Sequence, residues 1–142
     1  MPHPMILPML ALMVLTFVVW MAMGRQRIGY LIRHRIHPQK IASRTQLDAL
    51  VPEEAGRAAN NFANLCELPV VFYAACLAFT VLGATQLVDV GLAWAFVAGR
   101  VAHSWIHCTS NVVRRRFFAY VVSGAVLWVL VARLAWAALA GG

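Results

Sequence analysis

Uncharged apolar segments about as long as a bilayer is thick constrain this chain more than any other feature of its sequence. Residues 5–23 contain no charged side chain, and neither do residues 68–87. An α-helix needs about 20 apolar residues to cross the hydrocarbon core of a membrane. A small soluble fold cannot bury several such helices on every side. The sequence therefore predicts an integral membrane protein.

The composition agrees with this prediction. Hydrophobic residues make up 62% of the 142 residues, and charged residues make up only 12%. Soluble domains carry roughly 45–50% apolar and 25% charged residues. We predict a single all-α domain over residues 1–142, an integral membrane four-helix bundle. Its spans are predicted at about 4–24, 55–82, 90–111 and 117–140, with a polar loop at about 25–54.

The basic residues are distributed unevenly among the predicted connections. Twelve Lys and Arg stand against five Asp and Glu, which gives a net charge of +7. The loop at 25–54 and the turn Arg114–Arg116 hold most of them, whereas residues 83–89 hold none. The positive-inside rule places both basic connections in the cytoplasm and both termini on the opposite side. Anionic lipid headgroups account for the charge, and no nucleic-acid partner is predicted because no soluble basic face is formed.

The cysteines and the end of the last span are assigned structural roles. Cys66, Cys76 and Cys108 lie in apolar or helical segments without CxxC spacing, so we interpret them as small buried residues and predict no metal site. Arg133 is expected to extend toward the outer interface. Trp128 and Trp136 are expected to face lipid or the interfacial belt.

Two predicted spans carry polar side chains where lipid would otherwise be contacted. At 100° per residue, each set occupies one helical face about 100–120° wide. The face on the second span holds Arg57, Asn60, Asn61, Asn64 and Glu67, and the face on the third holds Arg100, His103, Ser104, His107 and Asn111. Both faces lead toward the basic turn.

Burying these groups in hydrocarbon is expensive, at about 2.5–3.5 kcal/mol for each charge. Such residues therefore face one another, a partner subunit or a wet cavity. Hydrogen bonds that hold helices together are one interpretation. A functional cavity is the other, and the alignment of the two polar faces favours it. Glu67 lies about 15 Å along the helix from Arg57, so we expect it to pair with Arg100 or with a basic residue of another subunit.

Two motifs on these faces resemble a known family. The segment from Arg57 to Tyr73, with its Asn residues, its Glu-Leu-Pro and its aromatic end, resembles the second helix of the membrane-associated proteins in eicosanoid and glutathione metabolism, the MAPEG family. Gly99-Arg-Val-Ala-His103 resembles the start of that family's polar third-helix segment. The resemblance implies four-helix subunits that assemble as homotrimers, with sites for glutathione between adjacent subunits near the cytoplasmic face.

The resemblance also implies roles for individual residues. It places the cosubstrate glutathione against Arg57, Asn61, Asn64, Glu67, Arg100 and His103. Arg116 stands where the family has the arginine credited with activating the thiol, and His107 stands where glutathione-using members have a tyrosine. This sequence departs from the family pattern at two further positions. Asn64 stands where the family has an acid, and Glu67 follows one helical turn later. Phe117 stands after Arg116, where some members have a small polar residue. The string from Asn64 to Tyr73 resembles a bacterial branch, which implies the bacterial inner membrane.

The chemistry of these residues suits glutathione. Its carboxylates need Arg, which Arg57, Arg100 and the basic turn supply. Its ammonium needs an acid, and Glu67 is the only acid that we place within a polar face. Arg116 would favour the thiolate, and His107 would act as a hydrogen-bond donor or base.

We expect a membrane transferase or peroxidase that binds glutathione between subunits and conjugates or reduces lipophilic electrophiles. Its partners would be copies of itself, membrane lipids and a lipophilic small molecule. The alternative is a non-enzymatic lipid-binding or scaffold protein of the same fold, since the family contains such a member. A transporter is less well indicated, because no pair of broken spans or internal repeat is evident.

Overall fold

The computed structural model describes residues 3–140, apart from the side chains of Pro38, Arg44 and Asp48, and no strand occurs in that range. The prediction of an all-helical chain is confirmed. The helices are α1 (Ile6–Arg33), α2 (Arg44–Leu50), α3 (Glu53–Leu65), α4 (Leu68–Leu82), α5 (Leu87–Cys108) and α6 (Val113–Ala140), with a 3₁₀ helix at Pro38–Ile41.

Three helical segments are long and apolar enough to cross a membrane. They are α1, the 30-residue segment Glu53–Leu82 formed by α3 and α4, and α6. The predicted third span corresponds to α5, which is helical over 22 residues, or about 33 Å. Asp89, Arg100 and two histidines interrupt its apolar sequence. Its hydropathy is therefore too low for it to count with the other three as a candidate membrane span. These helices fit an integral membrane protein.

The polar region between the first two spans is partly helical. α1 continues past the predicted end at residue 24 as far as Arg33, and the chain then turns at Arg35, whose φ is 50°. Residues such as Arg25, Gln26 and Arg27 are good helix formers, and no proline interrupts them before Pro38. α2 begins at a capping box in which Ser43 and Gln46 satisfy each other's backbone amides.

The second span is not one continuous helix. α3 ends at Leu65, and Glu67 has φ −96° and ψ −98°, which is not helical. Pro69 explains the break, because its ring would clash with the Leu65 carbonyl in an unbroken helix. The predicted face therefore holds for Arg57, Asn61 and Asn64 of α3, whereas Asn60 and Glu67 are exposed.

The connections at the two ends of α5 are short. Gly83 ends α4 in the left-handed region, with φ 65°. Val113 already begins α6, so Arg114, Arg115 and Arg116 lie in the first turn of that helix and not in a loop.

The apolar core lies between α1, α4, α5 and α6. Phe72 of α4 stacks on Phe96 of α5 with ring centroids 4.8 Å apart. The other large buried members are Met5, Leu12, Phe79, Leu127 and Leu130. Trp128 and Trp136 are exposed, as lipid-facing positions require. Exposed apolar side chains also cover the outer faces of α1 and α6.

A close approach of α5 and α6 depends on Gly99. A Cβ atom at this position would lie 2.7 Å from Ser123 Cβ and 3.4 Å from Ser123 Cα. The clash would be with Ser123 Cβ, which is bonded directly to the α6 backbone and cannot move aside as the end of a flexible side chain could. The absence of a side chain at residue 99 therefore sets the separation of the two helices next to Arg100.

Arg133 makes a contact that the sequence interpretation missed. Its Nε donates to Oδ1 of Asp89, which is buried, and its Nη2 donates to Gln86 Oε1 at 2.8 Å. Asp89 also accepts the backbone N–H of Gln86 at 2.8 Å, completing a capping box. Arg133 thus ties the start of α5 to α6, and the expectation that it extends toward the outer interface stays a prediction that did not foresee this partner.

We predict that Gly99→Ala lowers the melting temperature of the detergent-solubilised protein, at a cost of about 1–3 kcal/mol for overpacking. Gly91→Ala is the matched control on the same helix, because a Cβ atom there meets nothing within 4 Å. Equal melting temperatures for the two variants would contradict the close contact at Gly99.

We also predict that Arg133→Met destabilises the protein by about 1–3 kcal/mol, because it leaves the buried Asp89 carboxylate without its cation. Adding Asp89→Asn removes the unpaired charge and keeps an acceptor for the Gln86 amide. The double variant should therefore melt at a higher temperature than Arg133→Met. A lower melting temperature of the double variant would contradict this explanation.

Candidate functional site

The polar faces of α3 and α5 meet and bury each other. α5 contributes Arg100, His103, Ser104 and His107, each at most 3% exposed. α3 contributes Asn61, which is fully buried, with Arg57 and Asn64 half-buried beside it. We call these seven residues and Arg116 of α6 the polar seam. The sequence periodicity predicted the faces, and the packing of the helices brings them together.

Hydrogen bonds join the α3 and α5 sides of the seam. Arg100 Nη2 donates to the Asn64 carbonyl at 2.9 Å. Ser104 Oγ donates to Asn61 Oδ1 at 3.3 Å, and Asn61 Nδ2 reaches Cys108 Sγ at 3.5 Å. Arg57 Nη1 donates to the Thr109 carbonyl at 2.8 Å. Some of the polar side chains of the seam therefore hold α3 and α5 together through hydrogen bonds.

Arg116 is the arginine of the basic turn that faces the seam. Its Nη1 donates to Asn111 Oδ1 at 2.6 Å, and its carbonyl oxygen lies 3.1 Å from His103 Nδ1. Arg114 and Arg115 are exposed. Asn111 also donates to Glu53 Oε1 at 3.0 Å, which connects the starts of α3 and α6. The sequence could not distinguish these three arginines.

Tyr120 is a member of the site that sequence reasoning missed. Arg100 Cζ lies 5.4 Å from the centre of its ring, and the His103 ring lies 5.8 Å away. A guanidinium over an aromatic face is a favourable contact. A signal was present, because Arg116, Tyr120 and Ser123 follow helical spacing on α6.

Several polar atoms of the seam are buried without a hydrogen-bond partner among the described residues. They are Nε of Arg57, Nε and Nη1 of Arg100, Nε2 of His103 and Nδ1 of His107. A buried polar group without a partner costs about 1–3 kcal/mol, and more when it is charged. Arginine N–H groups donate and never accept. The seam is therefore chemically suited to a ligand with anionic oxygens or an anionic sulfur.

The arginines of the seam also affect whether its two histidines could bind a metal ion. His103 and His107 are one turn apart, with ring centroids separated by 5.5 Å. That spacing can chelate a metal ion. The guanidinium groups of Arg57, Arg100 and Arg116 would repel a cation, and they favour an anion at the same place.

Glu67 does not occupy the place expected for it. Its side chain is exposed at the break between α3 and α4, and within the described part of the chain it forms no ion pair with Arg100. The Arg100 guanidinium bonds the Asn64 carbonyl instead. The break before Pro69 leaves Glu67 at the surface, where its charge still acts on Arg100 through space, but the expected direct ion pair is not formed among the described residues. Pairing with a basic residue of another subunit stays a prediction.

The cysteines divide into three environments. Cys76 is buried, Cys108 is half-buried beside Asn61, and Cys66 is exposed at the helix break. The interpretation of all three as buried residues was wrong for Cys66, because the interrupted helix leaves that position uncovered.

These features define a class, a helical membrane protein with a buried, arginine-rich polar seam between its helices. The chain belongs to the MAPEG family, whose sequence profile matches residues 5–136. Searches among curated proteins and among solved structures gave no significant match.

We predict that Asn61→Ala weakens the α3–α5 contact by about 1–2 kcal/mol and lowers the melting temperature, because Ser104 loses its acceptor. Asn60→Ala is the matched control, since Asn60 is exposed on the neighbouring position. If both variants melt like the wild type, Asn61 does not join the helices.

Proposed function

We propose that the protein binds glutathione at the polar seam and uses its thiol to conjugate or reduce lipophilic electrophiles. The observation that carries this proposal is the set of buried N–H groups on Arg57 and Arg100 that have no partner among the described residues, close to the half-buried Arg116. Membership of the MAPEG family supports it.

The seam offers a partner for most of the charged groups of glutathione. Arg57 and Arg100 are the candidates for its two carboxylates, with Asn61 and Asn64 beside them. Arg–carboxylate pairs are among the strongest hydrogen bonds that proteins form. The exposed carboxylate of Glu67 is the candidate for the ammonium. Cationic groups on both sides would hold the tripeptide along the boundary of α3 and α5.

The thiol would lie near Arg116. A neighbouring cation lowers the pKa of a thiol because it favours the thiolate. Arg116 is already oriented by Asn111, so little side-chain freedom would be lost on binding. His107 is a candidate hydrogen-bond donor or base toward the same sulfur.

The surrounding assembly belongs to the same proposal. α5 would act as a fourth span whose polar face is covered, and three copies would form a homotrimer with each seam completed by a neighbour. A lone subunit leaves several buried donors without partners. The basic connections would lie in the cytoplasm of a bacterial cell, and an apolar electrophile would enter from the bilayer between helices.

A second candidate function is lipid binding without catalysis. A cavity of about 550 Å³ lies between α1, the following loop and α3. Apolar side chains, among them Met23, Ile41, Leu47 and Phe62, line most of it, and Arg27 and Ser43 add polar groups. Such a lining fits an acyl chain with a polar headgroup.

The test is a titration of the detergent-solubilised protein with glutathione, followed by ultraviolet thiolate absorbance and by conjugation of an aryl halide. Wild type should bind and form the thiolate. Arg116→Ala should lose the thiolate signal and at least about 100-fold of the conjugation rate. Arg114→Ala is the matched control and should behave as the wild type does, since Arg114 is exposed.

Two outcomes would contradict the enzyme proposal. One is a wild type and an Arg116→Ala variant that are equally inert with aryl halides and lipid hydroperoxides. The other is a protein whose melting temperature rises with lipids and never with glutathione. The second outcome would favour the lipid-binding function.

A further inference from the structure

The two nitrogens of His103 have different environments. Nδ1 lies 3.1 Å from the carbonyl oxygen of Arg116, and a carbonyl can only accept, so this nitrogen carries the hydrogen. In the neutral ring Nε2 then presents a lone pair. Nε2 is buried and has no hydrogen-bond partner among the described residues. The backbone of α6 thus fixes one tautomer and aims an acceptor into the seam.

His107 is not held in the same way. It is equally buried, and its Nδ1 has no partner in the described part of the chain. Among the hydrogen bonds of the described residues, none decides which nitrogen of His107 carries the hydrogen. Its ring meets that of His103 edge to face, with centroids 5.5 Å apart. His103 is thus oriented by another group as a general base is in an active site, and the described residues give His107 no such partner.

The charged and titratable groups around His103 come from three helices. Arg100 and His107 lie on α5 with it, Arg116 and Tyr120 face it from α6, and Arg57 of α3 acts on the neighbouring His107. Three of these groups are guanidinium cations. They favour an anion beside the ring and oppose a positive charge on it, so a thiolate formed there would be stabilised where it forms and the ring would hold the proton only briefly before passing it on.

We propose that His103 Nε2 is the acceptor of the thiol proton when glutathione is bound, a role that rests on the function proposed above. The S–H bond breaks, its electron pair stays on sulfur, and the proton forms a new bond to Nε2 while Nδ1–H keeps its bond to the Arg116 carbonyl. With an aryl halide, sulfur then bonds carbon, the halide leaves with its electron pair, and His103 releases the proton to water.

The side chain and the backbone carbonyl of Arg116 would then have separate roles. Its guanidinium would stabilise the thiolate, and its carbonyl positions the base. Substitution of the side chain leaves the carbonyl in place. Arg116→Ala and His103→Asn should therefore both lower the rate and yet differ in the pH dependence that remains.

The deciding variant is His103→Asn in the full-length protein. Asparagine keeps a side-chain N–H near the position of Nδ1 and has no counterpart of the Nε2 lone pair. At neutral pH we expect conjugation to fall by about 10²–10⁴-fold. The glutathione Kd, measured by titration, should change by less than about threefold, well under 1.4 kcal/mol. The residual rate should rise with pH as hydroxide replaces the missing acceptor.

Two comparisons complete the experiment. His34→Gln, at an exposed histidine beyond the end of α1, should leave binding, rate and pH profile unchanged. His107→Gln should keep the wild-type pH dependence of the rate, whatever the size of that rate. The melting temperature of each variant checks that it is folded.

The results separate this role from the function on which it rests. A wild type that binds no glutathione overturns the proposed function and this role with it. If the wild type binds and conjugates, a His103→Asn rate within tenfold of wild type overturns the role alone. A variant whose Kd rises as much as its rate falls does the same, because His103 would then hold glutathione and not accept its proton.

Discussion

A fully buried guanidinium, that of Arg100, is the feature on which the rest of the site depends. A charge within a membrane protein must be surrounded by groups that replace water. The Asn64 carbonyl accepts one of its N–H groups, and the Tyr120 ring lies beneath its plane. The close approach of α5 and α6 at Gly99, the neighbour of Arg100 in sequence, brings the α6 side of this environment near. The helices thus supply part of the solvation that the charge needs, and two of its nitrogens, Nε and Nη1, have no hydrogen-bond partner among the described residues.

Those remaining groups connect packing to function. If every donor of the seam had a protein acceptor, the seam would serve only to hold the helices together. The hydrogen bond between Ser104 and Asn61 has that structural role. Buried donors on Arg57 and Arg100 mark a place where a ligand or another subunit would improve the hydrogen bonding. The glutathione that we propose as ligand would supply such partners through its two carboxylates and its thiolate. The opposite end of α5 differs, because Asp89 and Arg133 satisfy each other there and hold the helix in place.

Much of the site was readable from the sequence because helical periodicity is local. Arg100, His103, Ser104 and His107 share a face through their spacing, and all four are buried together. Helical periodicity failed for Glu67, because Pro69 interrupts the helix and Glu67 itself has a non-helical backbone conformation. Its side chain therefore does not continue the polar face of α3. Periodicity missed Tyr120 because the polar face of α6 is short and lies within an apolar helix. It could not pair Arg133 with Asp89, which are 44 residues apart.

By itself, the sequence determined that this chain is helical and membrane-integrated, and it determined which residues share each polar face. Those properties follow from apolar length and from the 3.6-residue period, and neither depends on distant contacts. The tertiary structure decided which polar groups meet. It turned Arg116 inward, left Arg114 and Arg115 exposed, and gave His103 a carbonyl that fixes its tautomer. The reason is physical, because a hydrogen bond between helices depends on their rotation and separation, which packing at residues such as Gly99 sets.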